Sequence, residues 1–149
     1  MKPLYRRSTT RTSLPELPSE VRARVDEAAF ANQLTVASDA PAWATHSVNL
    51  GNRVDPDIES DTYVVLGAAD IVVVISGAER GMHHLTLPLR DASIADDTVA
   101  GGVERGMTIT GLPGDHSSAG SCYVGLGPEP AAQECLDAVV AAVTAAKAR

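Results

Sequence analysis

From residue 34 to residue 127 the sequence is a succession of short apolar or alternating segments separated by turn residues, and none has the 3.6-residue period of a helix. Segments that follow one another this closely must pair mostly antiparallel, because a parallel crossover needs about a dozen residues or more. The predicted strands are Leu34–Ala37, Trp43–Leu50, Thr62–Leu66, Asp70–Ser76, Met82–Arg90, Met107–Gly111 and Ser121–Leu126. Ile71 to Ile75 is continuously apolar, the pattern of a strand covered on both faces. Gly67-Ala68-Ala69 fits a tight hairpin between the third and fourth of these strands. In Met82–Arg90, His83, Leu85, Leu87 and Leu89 share one face while His84, Thr86 and Arg90 take the other. Pro88 has no N–H to give to a ladder, so this segment belongs at a sheet edge or a bulge. Cys122, Val124 and Leu126 share a face of the last strand.

A helix is predicted on each side of this region. In the first, Ser19 is placed to cap the start, Val21, Val25, Ala28 and Ala29 form an apolar stripe, and the end falls near Asn32. In the second, Pro130 suits a first turn, and Leu136, Val139, Val140 and Val143 make a stripe at i, i+3, i+4 and i+7. Glu129 and Glu134 near its amino end, with Lys147 and Arg149 near its carboxyl end, complement the helix dipole. The expected fold class is therefore α+β. About seven mostly antiparallel strands form a curved sheet or partly open barrel, with one amino-terminal helix and a carboxy-terminal amphipathic helix as its cap. Residues 1–17 are expected to be a flexible basic arm and residues 18–149 a single domain.

Composition limits the function classes. A chain of 149 residues suits one domain. Its net charge of −7 conceals an uneven distribution, since Lys2, Arg6, Arg7 and Arg11 occupy the first eleven residues with no acid among them. The remaining body is acidic enough to repel phosphate backbones, and one Trp, one Phe and three Tyr build few stacking platforms, so nucleic acid is not expected as a partner. The basic arm can touch an acidic surface. The longest apolar stretch, Tyr63 to Ala78, is broken by Asp70 and falls short of the roughly 20 residues of a membrane helix, so no integral membrane segment is expected. With no amino-terminal signal pattern and only Cys122 and Cys135, the expected location is cytoplasmic, where a bridge between the two thiols is disfavoured. The connections Asn52–Asp61, rich in Asp and Glu, and Ala95–Gly106 are expected to be surface loops that bury little.

No catalytic, cofactor-binding or metal-binding residue is assigned. His83 and His84 are neighbours on a strand and point to opposite faces, so they cannot chelate one metal together. Cys122 with His116 and Asp115 offers the residue types of a nucleophile, base and orienter. Yet Cys122 lies on an apolar face, where a cysteine acts as a small core residue. Asp96-Asp97 and Asp55/Asp57 lack apolar shielding, and solvated carboxyls are poor general acids. The glycines at 101–106 and 125–127 do not match a phosphate loop, which needs G-x-x-x-x-G-K-[ST].

Tyr63-Val64-Val65-Leu66 running through a tight link to Ile71–Ile75, Leu87–Ile94, and Met107–Thr110 with Ser121–Leu126 before the final helix resemble the pleckstrin-homology (PH) superfold, including its bacterial PH-like members. The resemblance is architectural and spans about residues 34–146. It implies a non-enzymatic scaffold that binds another protein or associates with itself, with the edge Met82–Arg90 open to an extended peptide. The closing helix lacks the tryptophan of the eukaryotic pattern, and the acidic stretch Asn52–Asp61, with only Arg53, does not imply phosphoinositide binding. The alternative is a small enzyme or ligand-binding protein with a pocket between sheet and closing helix, drawing on His46, His84, His116 and Cys122.

Overall fold

The computed structural model describes residues 3–97, 105–112 and 120–149. Among the described residues, eight antiparallel strands form two sheets that do not close into a barrel. The first is a meander of β1 (Tyr5–Ser13), β2 (Pro41–Asn49), β3 (Glu59–Leu66), β4 (Asp70–Gly77) and β5 (Gly81–Pro88) in that spatial order. The second contains β6 (Ser93–Asp96), β7 (Arg105–Leu112) and β8 (Gly120–Leu126). Helix α1 (Ser19–Ala31) lies between β1 and β2 in sequence, and α2 (Pro130–Lys147) ends the chain.

The continuous apolar run in β4 has the cause expected of it. Ile71 and Val73 enter a core shared with Trp43, Val64, Leu87, Leu89, Met107, Ile109, Val124, Leu126 and α2. Val72 and Val74 pack on the opposite face against Leu14, Leu17 and the Val21, Val25 and Ala28 stripe of α1. The large sheet is thus covered on one face by α1 and on the other by the small sheet and α2. Pro88 terminates β5, an edge strand, in keeping with its missing donor.

Four expectations are corrected. Residues 5–13 are not a flexible arm: they form β1, in register with β2 from Tyr5 opposite Asn49 to Ser13 opposite Pro41. Its cohesion comes from ladder hydrogen bonds and from Thr9, which is buried, rather than from an apolar face. Leu34–Ala37 is not a strand, because no neighbour pairs with it and the Leu34 N–H instead bonds Ala29 O to close the end of α1. Ser19 is the first residue of α1, not its cap, and that boundary position falls to Pro18. In α2 the buried stripe is Ala132, Cys135, Leu136, Val139 and Val143, while Val140 is 41% exposed.

The two sheets meet along a seam between β1 and the end of β8. The buried Thr9 and Thr45 hydroxyls lie 2.8 Å apart, and the Gly127 N–H donates to Thr9 Oγ1 at 2.9 Å. The Thr9 N–H, on the free edge of β1, donates to Glu129 Oε1 at 2.8 Å. Glu129 therefore blunts an exposed strand edge as well as flanking the helix dipole. One turn into α2, Glu134 pairs with Arg11.

Candidate functional site

The interior of the sandwich changes character along its strands. Facing the small sheet, β2 presents Trp43, then Thr45, Ser47 and Asn49; β3 presents Val64, then Thr62 and Ser60. The apolar half is filled. The polar half opens into a cavity of about 390 Å³, a size that admits a small ligand or a side chain. Tyr5, Arg7, Ser47, Ser60, Thr62, Arg80 and Tyr123 line it, with Asn52, Val54, Asp55 and Pro56 of the β2–β3 loop at its rim. No residue of α2 takes part.

Register places each of these groups. Odd-numbered residues of β1 face inward, so Tyr5 and Arg7 reach the cavity beside Ser47 of β2. Arg7 Nε donates to Ser47 Oγ at 3.1 Å, and the guanidinium carbon stands 4.2 Å from the centroid of Tyr5 and 6.0 Å from that of Tyr123. Arg7 can lie there only because position 125 is glycine: a methyl group on Gly125 would collide with its guanidinium.

The acidic loop does bury charge, contrary to expectation. Asp57 is only 3% exposed, accepts from the Glu79 N–H at 2.6 Å and pairs with Arg80 Nε at 2.7 Å. Arg80 also pairs with Asp55, which accepts from the Tyr5 hydroxyl at 2.7 Å and from the Asp57 N–H at 3.0 Å. Asn52 Nδ2 donates to the same tyrosine oxygen at 2.9 Å. The Glu79 N–H, working against burial and aided by Arg80, holds the Asp57 carboxyl below its usual range. Burial pushes Asp55 up, but its bonds from Asp57, Tyr5 and Arg80 outweigh this and hold it low as well. The Tyr5 phenol is raised, first by burial and then by Asp55. Gly77 is required beside this cluster, because a Cβ there would overlap the Asp57 carboxylate. The loop is thus pinned to the β4–β5 turn by Arg80, whose importance its sequence position does not advertise.

The pinned loop exposes apolar side chains. Val54 is 91% exposed, Ile58 77%, Leu50 50% and, next to them on the incoming chain, Leu4 46%. The Leu50 N–H bonds Leu4 O at 2.8 Å, which holds these two together, and Val54 lines the cavity itself.

Among the described residues, those singled out for chemistry do not assemble. His46 and His84 lie on the α1 side of the large sheet, on β2 and β5, separated by three strand spacings, about 14 Å, and by a further two residues along the strand. His46 is bound instead by Asp61 at 2.8 Å and Glu59 at 3.2 Å; the Asp61 bond, opposed by partial burial and helped by Glu59, raises its pKa. His83 is exposed and donates to Arg80 O at 2.7 Å, while His84 is half-buried. Cys122 faces the core between the sheets with its thiol pushed up by burial, and burial with Glu134 pushes Cys135 to about 12. Asp115, His116 and most of the Ala95–Gly106 connection lie outside the described residues. Among the described residues, no group of three or more His, Cys, Asp or Glu is placed to hold a metal ion. No helix among them is long and apolar enough to cross a membrane. A second cavity of about 490 Å³ lies between the large sheet and the carboxyl end of α2, lined by Leu34, Asp70, Pro88, Arg90, Ala146 and Arg149 among others. Of the described candidates His46, His84 and Cys122, none lines it.

Comparison with family models, with curated proteins and with solved structures finds no match for this chain.

Proposed function

We propose that the chain is a non-enzymatic, cytoplasmic PH-like domain that docks another protein at the mouth of its sandwich. The scaffold reading is supported by element order: β2 to β8 followed by α2 repeat the strands-then-helix plan of that superfold, with β1 and α1 as additions. The observation that carries the docking reading is the set of exposed apolar side chains Leu50, Val54 and Ile58 on the β2–β3 loop, with Leu4 beside Leu50 and with Val54 lining a cavity that contains Tyr5, Arg7 and Tyr123. Apolar groups held exposed on an anchored loop beside tyrosine and arginine have the composition of a binding hot spot. The free edge of β5, the first expectation for a peptide-pairing site, lacks such a cluster of exposed apolar side chains.

The test is affinity capture from the native host with wild-type chain and the V54D/I58D variant, both confirmed folded by circular dichroism. The wild type retains a partner that the variant loses; equal retention by both refutes the assignment. A second reading, small-ligand binding in the cavity beneath α2, rests on the convergence of Asp70, Arg90 and Arg149 there. Thermal stabilisation by a small charged ligand, abolished by Arg90→Ala, would favour it.

A further inference from the structure

The cavity beneath α2 carries charges of both signs, and their placement selects among small ligands. Resting on the second reading above, we propose that this cavity binds a small zwitterion, a free apolar α-amino acid, with its ammonium at Asp70 and its carboxylate at Arg90 and Arg149.

Three observations converge on a ligand with both charges. The charged groups of the cavity are uncommitted: among the described residues, the side chains of Asp70, Arg90 and Arg149 make no hydrogen bond and no ion pair. Burial raises the Asp70 carboxyl, and the charge of Arg90 offsets part of that rise, so the two stand within electrostatic reach without pairing. A half-buried carboxylate with no donor of its own gains a partner when a ligand brings an ammonium. The backbone that carries these groups is held in place. Asp70 is in register with Pro88, the Leu89 N–H bonds Ala69 O at 2.9 Å, and Lys147 Nζ donates to Arg90 O at 3.2 Å, so little order has to be created on binding.

The signs are also separated in space. A neighbouring cavity of about 230 Å³ shares Leu34, Asp70 and Pro88 with the one of about 490 Å³. Arg90 and Arg149 line the larger; the smaller adds Asp91 and, among the described residues, no cation. Asp70 thus stands where a basic half meets an acidic half. A lone anion there faces Asp70 and a lone cation faces two guanidiniums, whereas a zwitterion leaves neither sign opposed. Finally, Leu34, Ala69, Pro88 and Ala146 supply an apolar wall against which an aliphatic side chain is removed from water.

Isothermal titration of the tag-free full chain with L-valine, L-leucine and L-methionine tests this. Each is compared with its carboxamide, which keeps only the ammonium, and with its deamino acid, which keeps only the carboxylate. At least one amino acid should bind about ten-fold or more tighter than either analogue, the worth of one charge-assisted hydrogen bond. In Asp70→Asn its advantage over the deamino acid should vanish while its advantage over the amide persists; Arg90→Gln should shrink the advantage over the amide instead. The analogue comparison on wild-type protein stands by itself where a variant folds poorly. An analogue that binds as tightly as its parent, or variants that reverse this pattern, overturn the zwitterion assignment and leave the cavity to a singly charged ligand. Binding of none of these compounds overturns the assignment together with the cavity reading it rests on.

Discussion

The seam between the sheets makes an asymmetric prediction about two buried threonines. Thr9 Oγ1 serves two partners, the Gly127 N–H at 2.9 Å and the Thr45 hydroxyl at 2.8 Å, whereas Thr45 Oγ1 has Thr9 as its side-chain partner. Both residues are at least 97% buried, so water cannot substitute for a lost bond. Valine replaces threonine with little change of volume, and an orphaned buried polar group costs about 1–3 kcal/mol. Thr9→Val orphans the Gly127 N–H and the Thr45 hydroxyl together and should cost about 3 kcal/mol. Thr45→Val leaves Thr9 its bond from Gly127 and should cost about 1 kcal/mol. The double variant removes the Thr45 orphan, so it should be less unstable than the sum of the single variants by about 1–2 kcal/mol. Urea unfolding followed by the fluorescence of Trp43, the single tryptophan and 2% exposed, reads all four proteins. Equal costs for the two single variants, or strict additivity, would refute the reasoning. Near-neutral values throughout would mean that β1 is not docked.

Other outcomes follow from the same geometry. Gly77→Ala should destabilise the fold and accelerate amide exchange at Asn52 and Val54, because the new methyl displaces Asp57 from Arg80; unchanged exchange would contradict the pinning of the loop. Asp55 and Asp57 have folded pKa values below their ordinary carboxyl value of 3.8, so their contribution is full above that value and lost as pH falls through the lowered one. Acid unfolding should therefore be displaced to higher pH in Arg80→Gln, and an unmoved transition counts against it. His46 is the opposite case: its folded pKa lies above 6.5, so its contribution is full below 6.5 and disappears as pH rises through the raised value. His46→Gln should lower Tm at pH 5.5 and leave it unchanged at pH 9, and the reverse order would be fatal to the assignment. Native Cys135, with a thiol pushed to about 12 by burial and Glu134, should resist iodoacetamide at pH 8 until the protein unfolds; rapid native labelling would disprove its burial.

What the sequence revealed and concealed has physical reasons. The run Ile71 to Ile75 was legible because a doubly covered strand has to be apolar at every position, although Ile75 proves only partly buried, and α2 because one face of a helix must meet the core. Val140 was misassigned because i+4 spacing fits a stripe without fixing its centre, which Cys135 and Ala132 set. Strand β1 left no hydrophobic trace: its inward face meets the polar half of the interior, and only Tyr5 and its threonines signalled β propensity. The cavity was invisible for the same reason, since it joins Arg7, Ser47, Arg80 and Tyr123 from four separate segments. Asp57 resembled any loop acid because the guanidinium that shelters it comes from a turn beyond two further strands.

The incorporation of β1 has a practical corollary. Leu4 bonds the backbone of the β2–β3 loop, so a tag attached just ahead of β1 lies close to that loop. An affinity handle placed there would screen Leu50 and its neighbours on the loop. Handles belong after Arg149, on the far side of the fold beside Asp70 and Arg90, where they leave the entrance clear.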